Sequence, residues 1–496
     1  MSELILAIDQ GTTGTTSLIL DFSRGAAEIK GRGYAEFAQH FPQPGWVEHD
    51  LNQIWDSVTI SIHGALEAAG VKGDAIGAIG ITNQRETIGV WDENGQPLRN
   101  AIVWQDRRTA EICAGLKAAD REAEVRAKTG LLLDPYFSGT KLGWILSEES
   151  ELRVRARAKK VRVGTMDTWL LWKLTQGASY KTDVTNASRT LLFDIHKGVW
   201  DESLAGMCSE VPVDILPEVF GCDDRFGETL GVPGLRDGIP ILGIAGDQQA
   251  SLFGQACFLP GMLKCTYGTG AFALVNTGEQ AIQSDAGLLT TIAWKVGGKT
   301  HYAIEGSVFV AGAIVQWLRD GLGFFQSSAE VEDLANTVED TGGVMLVPAL
   351  TGLGAPHWNP DARGIISGLT RGTNRAHLAR AALEGIAWQV YELVGAMGKG
   401  VGANNAEILR VDGGATANNF LMQFQADILG RSIERPKVLD TTALGAAYLA
   451  ALGLGAVADQ AAITTERQMD RVFEPSMGVE QVRERFAQWQ NAVAKA

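Results

Sequence analysis

The chain has 496 residues and a formal net charge of −15 at pH 7, with 45% hydrophobic and 20% charged residues. That length exceeds one ordinary hydrophobic core, so two large domains are expected, and the composition is that of a folded globular protein. The acidic balance argues against a nucleic-acid surface or an anionic membrane, so an anionic ligand needs a local pocket of cations or backbone donors.

Five cysteines, Cys113, Cys208, Cys222, Cys257 and Cys265, form no CxxC, and the seven histidines form no HExxH. This predicts reduced thiols in a cytoplasmic protein, not a disulfide framework or a zinc site. The N-terminus runs straight into a strand pattern with no basic leader. Of two uncharged stretches, Thr341–Pro360 is broken by prolines and Thr441–Ala458 reads as a buried helix. No membrane insertion is expected.

Leu4–Asp21, LILAIDQGTTGTTSLILD, has two apolar runs joined by a Gly/Thr turn, which predicts a β-hairpin. Gly11 and Gly14 let backbone N–H groups crowd toward a ligand, and Thr12 and Thr13 add hydroxyls. Such a nest suits a polyphosphate, and Asp9 at its mouth suits a hydrated Mg²⁺. The same residues also suit an ordinary tight hairpin.

Gly31–Gln39 follows as a third strand and Pro42–Asp50 as a loop. Leu51–Ala69 has Ile54, Val58, Ile62 and Leu66 at helical spacing. Ala75–Thr82 reads as a buried strand with Asn83, Gln84, Arg85 and Glu86 at its end. Thr87–Trp91 reads as the next strand, closed by a turn at Asp92–Gly95. The alternation is that of an α/β protein. Ile239–Gly246 is another apolar strand, ending on Asp247. Gly261–Asn276 then repeats the strand, Gly-Thr-Gly turn, strand pattern of the N-terminus. Two related halves with a boundary near residue 250 follow from this, each offering a hairpin to a shared cleft. Ala406–Val411 reads as a strand entering a Gly-rich turn at Asp412–Ala415, where a base or ribose can lie on the backbone, before a helix over Asn418–Leu429. Gly298, Lys299 and Thr300 end like a phosphate loop, but Ala293 holds the first glycine position, so a hairpin turn is predicted. Gly268–Ala273 lacks the helix that a dinucleotide fingerprint requires.

Several strings stand out together: DQGTT at Asp9–Thr13, PGWVEHD at Pro44–Asp50, GITNQRET at Gly80–Thr87, NAIVWQDRRTAE at Asn100–Glu111, DPYFSGTK at Asp134–Lys141 and TDVTNASRT at Thr182–Thr190. GIAGDQQA at Gly243–Ala250, TYGTGAF at Thr266–Phe272, GLGAPHWNPDARG at Gly352–Gly364 and DGGATANNFLMQFQADILG at Asp412–Gly430 follow. Taken together, they resemble the FGGY family of carbohydrate kinases. It implies an α/β fold of two ribonuclease-H-like domains, 1–250 and 251–496, of the actin/hexokinase/Hsp70 ATPase type with a central cleft.

The resemblance also implies a reaction, transfer of the γ-phosphoryl of ATP to glycerol, giving sn-glycerol 3-phosphate. On it, Asp247 is the general base. Arg85, Glu86, Asp247 and Gln248 hold the acceptor's hydroxyls, and Trp104, Tyr136 and Phe272 cover its carbons. Thr12, Thr13, Gly14 and Thr16 meet the phosphates from one hairpin, and Gly268 and Thr269 from the other. Gly312, Gln316, Gly414 and Asn418 line the adenosine site, and Asp9 and Asp247 hold Mg²⁺ through water. Homodimers or tetramers in the cytoplasm are implied. Thr16 departs from the family, which commonly has Arg there, so one phosphate-facing cation is missing. Gly231–Gly238 matches the family's sugar-bisphosphate loop poorly, and Pro212–Thr229 has no phosphorylatable His.

Two other readings are a kinase for another, larger polyol or ketose and an actin- or chaperone-like ATP-driven binding protein. Bulky Trp104, Tyr136 and Phe272 favour a small pocket over the first, and Arg85–Glu86 beside Asp247 has no use in the second. Without the resemblance, Arg85–Glu86 reads as a solvated charge pair, and Trp104 and Phe272 as core aromatics.

Overall fold

The computed structural model describes residues 3–25, 27–208, 210–359, 361–401 and 407–496. Its first sheet contains β1 (Leu4–Gln10), β2 (Gly14–Asp21), β3 (Glu28–Glu36), β4 (Ala78–Asn83), β5 (Gly227–Glu228) and β6 (Pro240–Gly246). The spatial order is β5-β6-β4-β1-β2-β3. The second contains β7 (Leu263–Tyr267), β8 (Ala271–Gly278), β9 (Leu289–Val296), β10 (Lys299–Val308), β11 (Ile408–Asp412), β12 (Ser432–Pro436) and β13 (Met469–Phe473). Its order is β9-β10-β8-β7-β11-β12-β13.

The repeat seen in the sequence is a repeat of topology. In each sheet a hairpin (β1–β2, β7–β8) carries an antiparallel third strand (β3, β10) on one side. Two parallel strands (β4 and β6, β11 and β12) lie on the other. Strands whose residues are buried on both faces, such as β1 and β4, suit the parallel interior of a covered sheet.

Helix α1 (Leu51–Ala69) starts where the Asp50 carboxylate accepts from the N–H groups of Asn52 and Gln53, and stops at left-handed Gly70. It buries the predicted stripe of Ile54, Val58, Ile62 and Leu66. On β2 it meets Thr15 and Ser17, whose hydroxyls each lie 2.7 Å from those of Ser57 and Ser61.

Strand β3 occupies Glu28–Glu36 rather than Gly31–Gln39, because β2 runs out of partners at Gly14, opposite Glu36. Gln39 turns back instead, and its Nε2 donates to the Thr12 carbonyl at 2.5 Å. Likewise strand occupies Gly89–Asp92 rather than Thr87–Trp91. The Thr87 side chain donates to Gln84 Oε1 and accepts from the Trp104 N–H.

Helix α2 (Asp247–Gly254) carries the chain from β6 toward the second sheet, across residues 250 and 251. Further along come α3 (Gly312–Asp320), α4 (Asn419–Leu429) and α5 (Thr441–Leu454). The expected buried helix over Thr441–Ala458 is α5, but it packs back on the N-terminal sheet. Leu444, Ala447 and Tyr448 share one core with Ile5, Ala7 and Ala78. Close approach is what the glycines permit. A methyl on Gly80 would lie 2.1 Å from the Ala446 carbonyl oxygen, and one on Gly445 would lie 1.9 Å from that of Ala250.

Lys299 and Thr300 begin β10, directly after a left-handed turn at Gly297 and Gly298. Pro360, within Gly352–Gly364, and Ala406, where a strand was expected to begin, lie outside the described residues. Among the described residues no helix is long and apolar enough to cross a membrane. All five cysteines are buried and unpaired.

Candidate active site

Strands β1, β4 and β6 are parallel neighbours, so their carboxyl ends share one edge of the sheet. Asp9 near the end of β1, Arg85 and Glu86 just past β4, and Asp247 just past β6 therefore converge without being near in sequence. Carboxyl ends of parallel strands are where open α/β sheets bind ligands.

At this edge the Arg85 Nε lies 3.0 Å from Asp247 Oδ1. Its Nη1 donates to Glu305 Oε2 at 2.5 Å and Gln249 Oε1 at 3.2 Å. Its Nη2 donates to Glu305 Oε1 at 2.8 Å and the Tyr136 hydroxyl at 3.4 Å. Glu86 has a left-handed backbone with φ of 63°, and its carboxylate accepts from Arg189 Nε at 2.6 Å. A non-glycine residue keeps such strain only where its surroundings over-determine it. Here the Glu86 carbonyl is also held by the Ser138 hydroxyl at 2.8 Å. Arg85 and Glu86 are 2% and 1% exposed, so the solvated charge pair of the bare sequence is not what forms.

The aromatic wall stands beside these charges. Trp104 and Tyr136 meet edge-to-face, with ring centroids 5.6 Å apart. The Trp104 indole Nε1 donates to the Thr12 hydroxyl at 2.9 Å. Buried Lys141 holds both residues from behind. Its Nζ donates to the carbonyls of Val103 at 2.7 Å, Trp104 at 3.1 Å and Tyr136 at 3.1 Å.

Each Gly/Thr turn is closed by a backbone hydrogen bond from its first glycine, over three residues in the first and two in the second. Gly11 N–H donates to the Gly14 carbonyl, and Gly268 N–H to the Gly270 carbonyl, both at 2.9 Å. The second turn abuts the start of α3. Gly312 N–H donates to Gly268 O at 2.9 Å, and Ala311 N–H to Thr269 O at 2.8 Å. Thr16 pairs across the ladder with Asp9 on one side and Tyr34 on the other, so these side chains share a face.

The remaining predicted residues are spread around this arrangement. Gln248 Oε1 accepts from Lys264 Nζ at 2.5 Å. Phe272 is half-buried on β8, paired with Thr266 and Ser307. Gln316 is exposed on α3 and Gly414 is exposed beyond β11. Asn418 caps α4, accepting from the Leu421 N–H at 2.8 Å.

The charges perturb one another. Burial pushes the Asp9 carboxyl up to about 8, helped by the Asp247 and Asp440 carboxylates and opposed by Arg32. Burial also raises Asp247, against the pull of Arg85 and Lys264. Burial would raise Glu305 too, but the Arg189 and Arg85 guanidiniums hold it at about 2.

Two neighbouring carboxyls that resist ionisation form a donor set that a divalent cation would relieve. Among the described residues no group of three or more His, Cys, Asp or Glu could hold a metal. The paired carboxyls suit a hydrated Mg²⁺, which keeps several waters and takes phosphate oxygens.

Sequence reasoning did not single out Arg189, Glu305, Lys264, Gln249 or Lys141. A signal existed for two of them. Lys264 and Glu305 are lone charges inside apolar strands, MLKCTY and YAIEGSV, and a buried charge demands a partner.

A duplicated α/β fold, with a glycine-threonine turn in each half and a buried charged pocket at the strand ends, defines the class. Residues 4–254 match the FGGY family of carbohydrate kinases, N-terminal domain, and residues 263–454 match its C-terminal domain. The chain belongs to the FGGY family of carbohydrate kinases. Within it, the chain is 52% identical to a glycerol kinase of Myxococcus xanthus, covering 100% of this chain and 99% of that one. It is 52% identical to glycerol kinase 2 of Thermotoga maritima, covering 99% and 98%. The crystal structure of Plasmodium falciparum glycerol kinase with ADP is similar at a TM-score of 0.91 and 38% identity, covering 99% of this chain and 98% of that one.

Proposed function

We propose that this chain transfers the γ-phosphoryl group of ATP to the terminal hydroxyl of glycerol, giving ADP and sn-glycerol 3-phosphate. The observation that carries the site reading is the meeting of Asp247 and Arg85 at 3.0 Å, beside a Trp104 that is hydrogen-bonded to the Thr12 turn. The full-length likeness to glycerol kinases supports the choice of acceptor.

In this reading Asp247 accepts the proton of the attacking hydroxyl. Phosphoryl transfer needs little covalent help, so a positioned carboxylate is enough. Arg85, Glu86 and Gln248 orient the triol, because a small polar acceptor is held best by fixed, charged hydrogen-bond partners. Trp104, Tyr136 and Phe272 cover its carbons and exclude water, which limits loss of ATP to hydrolysis. Backbone N–H groups and hydroxyls of Thr12, Thr13, Gly14, Thr16, Gly268 and Thr269 receive the phosphates, and Gly312, Gln316, Gly414 and Asn418 receive the adenosine. Asp9 and Asp247 would hold a hydrated Mg²⁺, which would supply charge neutralisation at the phosphates.

The division into domains 1–250 and 251–496, a homodimer or tetramer, and a cytoplasmic location belong to the same reading. Five buried free thiols support the last.

The test is Mg²⁺-ATP consumption by the purified protein with no acceptor, glycerol, dihydroxyacetone, xylulose or gluconate. Turnover dependent on glycerol is expected. Turnover on a larger sugar alone would refute the triol pocket, and slow hydrolysis indifferent to every acceptor would refute the kinase reading.

A further inference from the structure

We propose that Glu305 is the positioning residue through which the C-terminal sheet completes the acceptor pocket of the N-terminal sheet. Glu305 lies on β10 and belongs to the second sheet. Its carboxylate accepts from both Nη atoms of Arg85, at 2.5 and 2.8 Å, and from Arg189 Nη2 at 3.1 Å. Arg189 in turn donates to Glu86 at 2.6 Å. The result is one connected run of alternating charge, Glu86, Arg189, Glu305, Arg85 and Asp247. Its first four members are at most 2% exposed. Three of the five are predicted acceptor residues, and the residue bridging the two arginines comes from the other sheet.

The geometry says what Glu305 does. A guanidinium is a planar fork of five N–H donors. Glu305 takes the inner fork of Arg85, while Gln249 and Tyr136 take the outer hydrogens. The plane is then set, with its Nε edge turned to Asp247 at 3.0 Å. An acceptor hydroxyl arriving between Arg85 and Asp247 meets an arginine that is already oriented. A buried ion pair is weak support for stability, and its better-attested use is to fix one arrangement over others. Because Glu305 sits on the second sheet, that arrangement draws on both sheets, whose strands share one buried core beside it.

This inference rests on the reading that Arg85 and Asp247 bind the acceptor. It is tested by steady-state kinetics on the full chain with Mg²⁺-ATP, comparing wild type with Glu305→Gln. Glutamine keeps the shape and one acceptor oxygen but removes the charge and half of the fork. The expected result is at least a tenfold rise in KM for glycerol, with KM for ATP within twofold of wild type. A glycerol KM within twofold of wild type would overturn the proposal. So would equal rises in both KM values, the signature of a generally loosened fold. If Glu305→Gln does not fold, Glu305→Asp is used. It keeps the charge but withdraws it by one methylene, and the same split is expected. Should wild type phosphorylate another polyol and not glycerol, the choice of acceptor falls and the ratio is read on that polyol. A wild type that turns over no acceptor overturns both readings.

Discussion

The indole of Trp104 donates to the hydroxyl of Thr12 at 2.9 Å, joining the aromatic wall to the first Gly/Thr turn. Ninety-two positions separate the two residues, and neither string hints at the other. The bond gives the proposed acceptor and phosphate sites a common piece of structure. Trp104→Phe keeps an aromatic wall but leaves Thr12 without this donor. It is expected to raise KM for glycerol and for ATP together, by roughly five- to tenfold, the worth of a hydrogen bond of about 1 kcal/mol. Trp104→Ala is expected to raise the glycerol KM further. A Phe variant that changes only one KM would show that the bond does not link the sites.

Asp247→Asn retains shape and removes the proposed base. Nucleotide binding, read by calorimetry, should stay near wild type, while kcat falls by about 10²–10⁴, the usual worth of a positioned general base. Near-normal kcat would remove Asp247 from that role.

Asp9 predicts a pH dependence of stability. Its carboxyl ordinarily titrates at 3.8 and is pushed up to about 8 in the fold, by burial first and then by Asp247 and Asp440. Between these values the folded protein keeps a proton that the unfolded chain has released. The group's contribution is therefore most favourable below 3.8 and is lost as pH rises toward about 8. In nucleotide-free protein, Asp9→Asn should raise the Tm relative to wild type by more at pH 8 than at pH 5. An equal difference at the two pH values would contradict the shift. The same variant should weaken the Mg²⁺ dependence of turnover.

Lys141 spends all three of its donors on the carbonyls of Val103, Trp104 and Tyr136. Lys141→Met fills the space but strands those carbonyls, at a cost of about 1–3 kcal/mol for each that stays dry. Loss of stability with a several-fold higher glycerol KM is expected, measured by denaturant titration and steady-state kinetics. Lower stability with an unchanged glycerol KM would make Lys141 a purely structural lysine.

Gly445 on α5 faces Ala250 on α2 so closely that an added methyl would lie 1.9 Å from the Ala250 carbonyl oxygen. That oxygen is backbone and cannot swing aside. Gly445→Ala should cost about 1–3 kcal/mol or more by overpacking, despite alanine's better helix propensity. The check is a urea midpoint. Gly395, inside the helix Arg375–Val401, where a methyl meets nothing within 4 Å, serves as the control helix glycine.

The sequence by itself determined the local elements and the inventory of chemistry. Apolar runs with Gly/Thr turns were enough for both hairpins, and spacing was enough for α1. Motif strings were enough for the FGGY resemblance, because each string is read from neighbours close in the chain. Strand ends were less legible. The limits of Glu28–Glu36 depend on how far β2 can pair, which is a property of the partner strand.

Only the tertiary structure decided which charges are buried together and who satisfies them. Parallel pairing of β1, β4 and β6 brings Asp9, Arg85 and Asp247 to one edge. Glu305 joins Arg85 from 220 positions away along the chain, and Arg189 joins Glu86 from 103. The return of α5 to the N-terminal sheet was equally hidden. The physical reason is common to all three. Burial makes every charge and every backbone contact depend on its spatial partner, and a linear string does not carry that partner's distance.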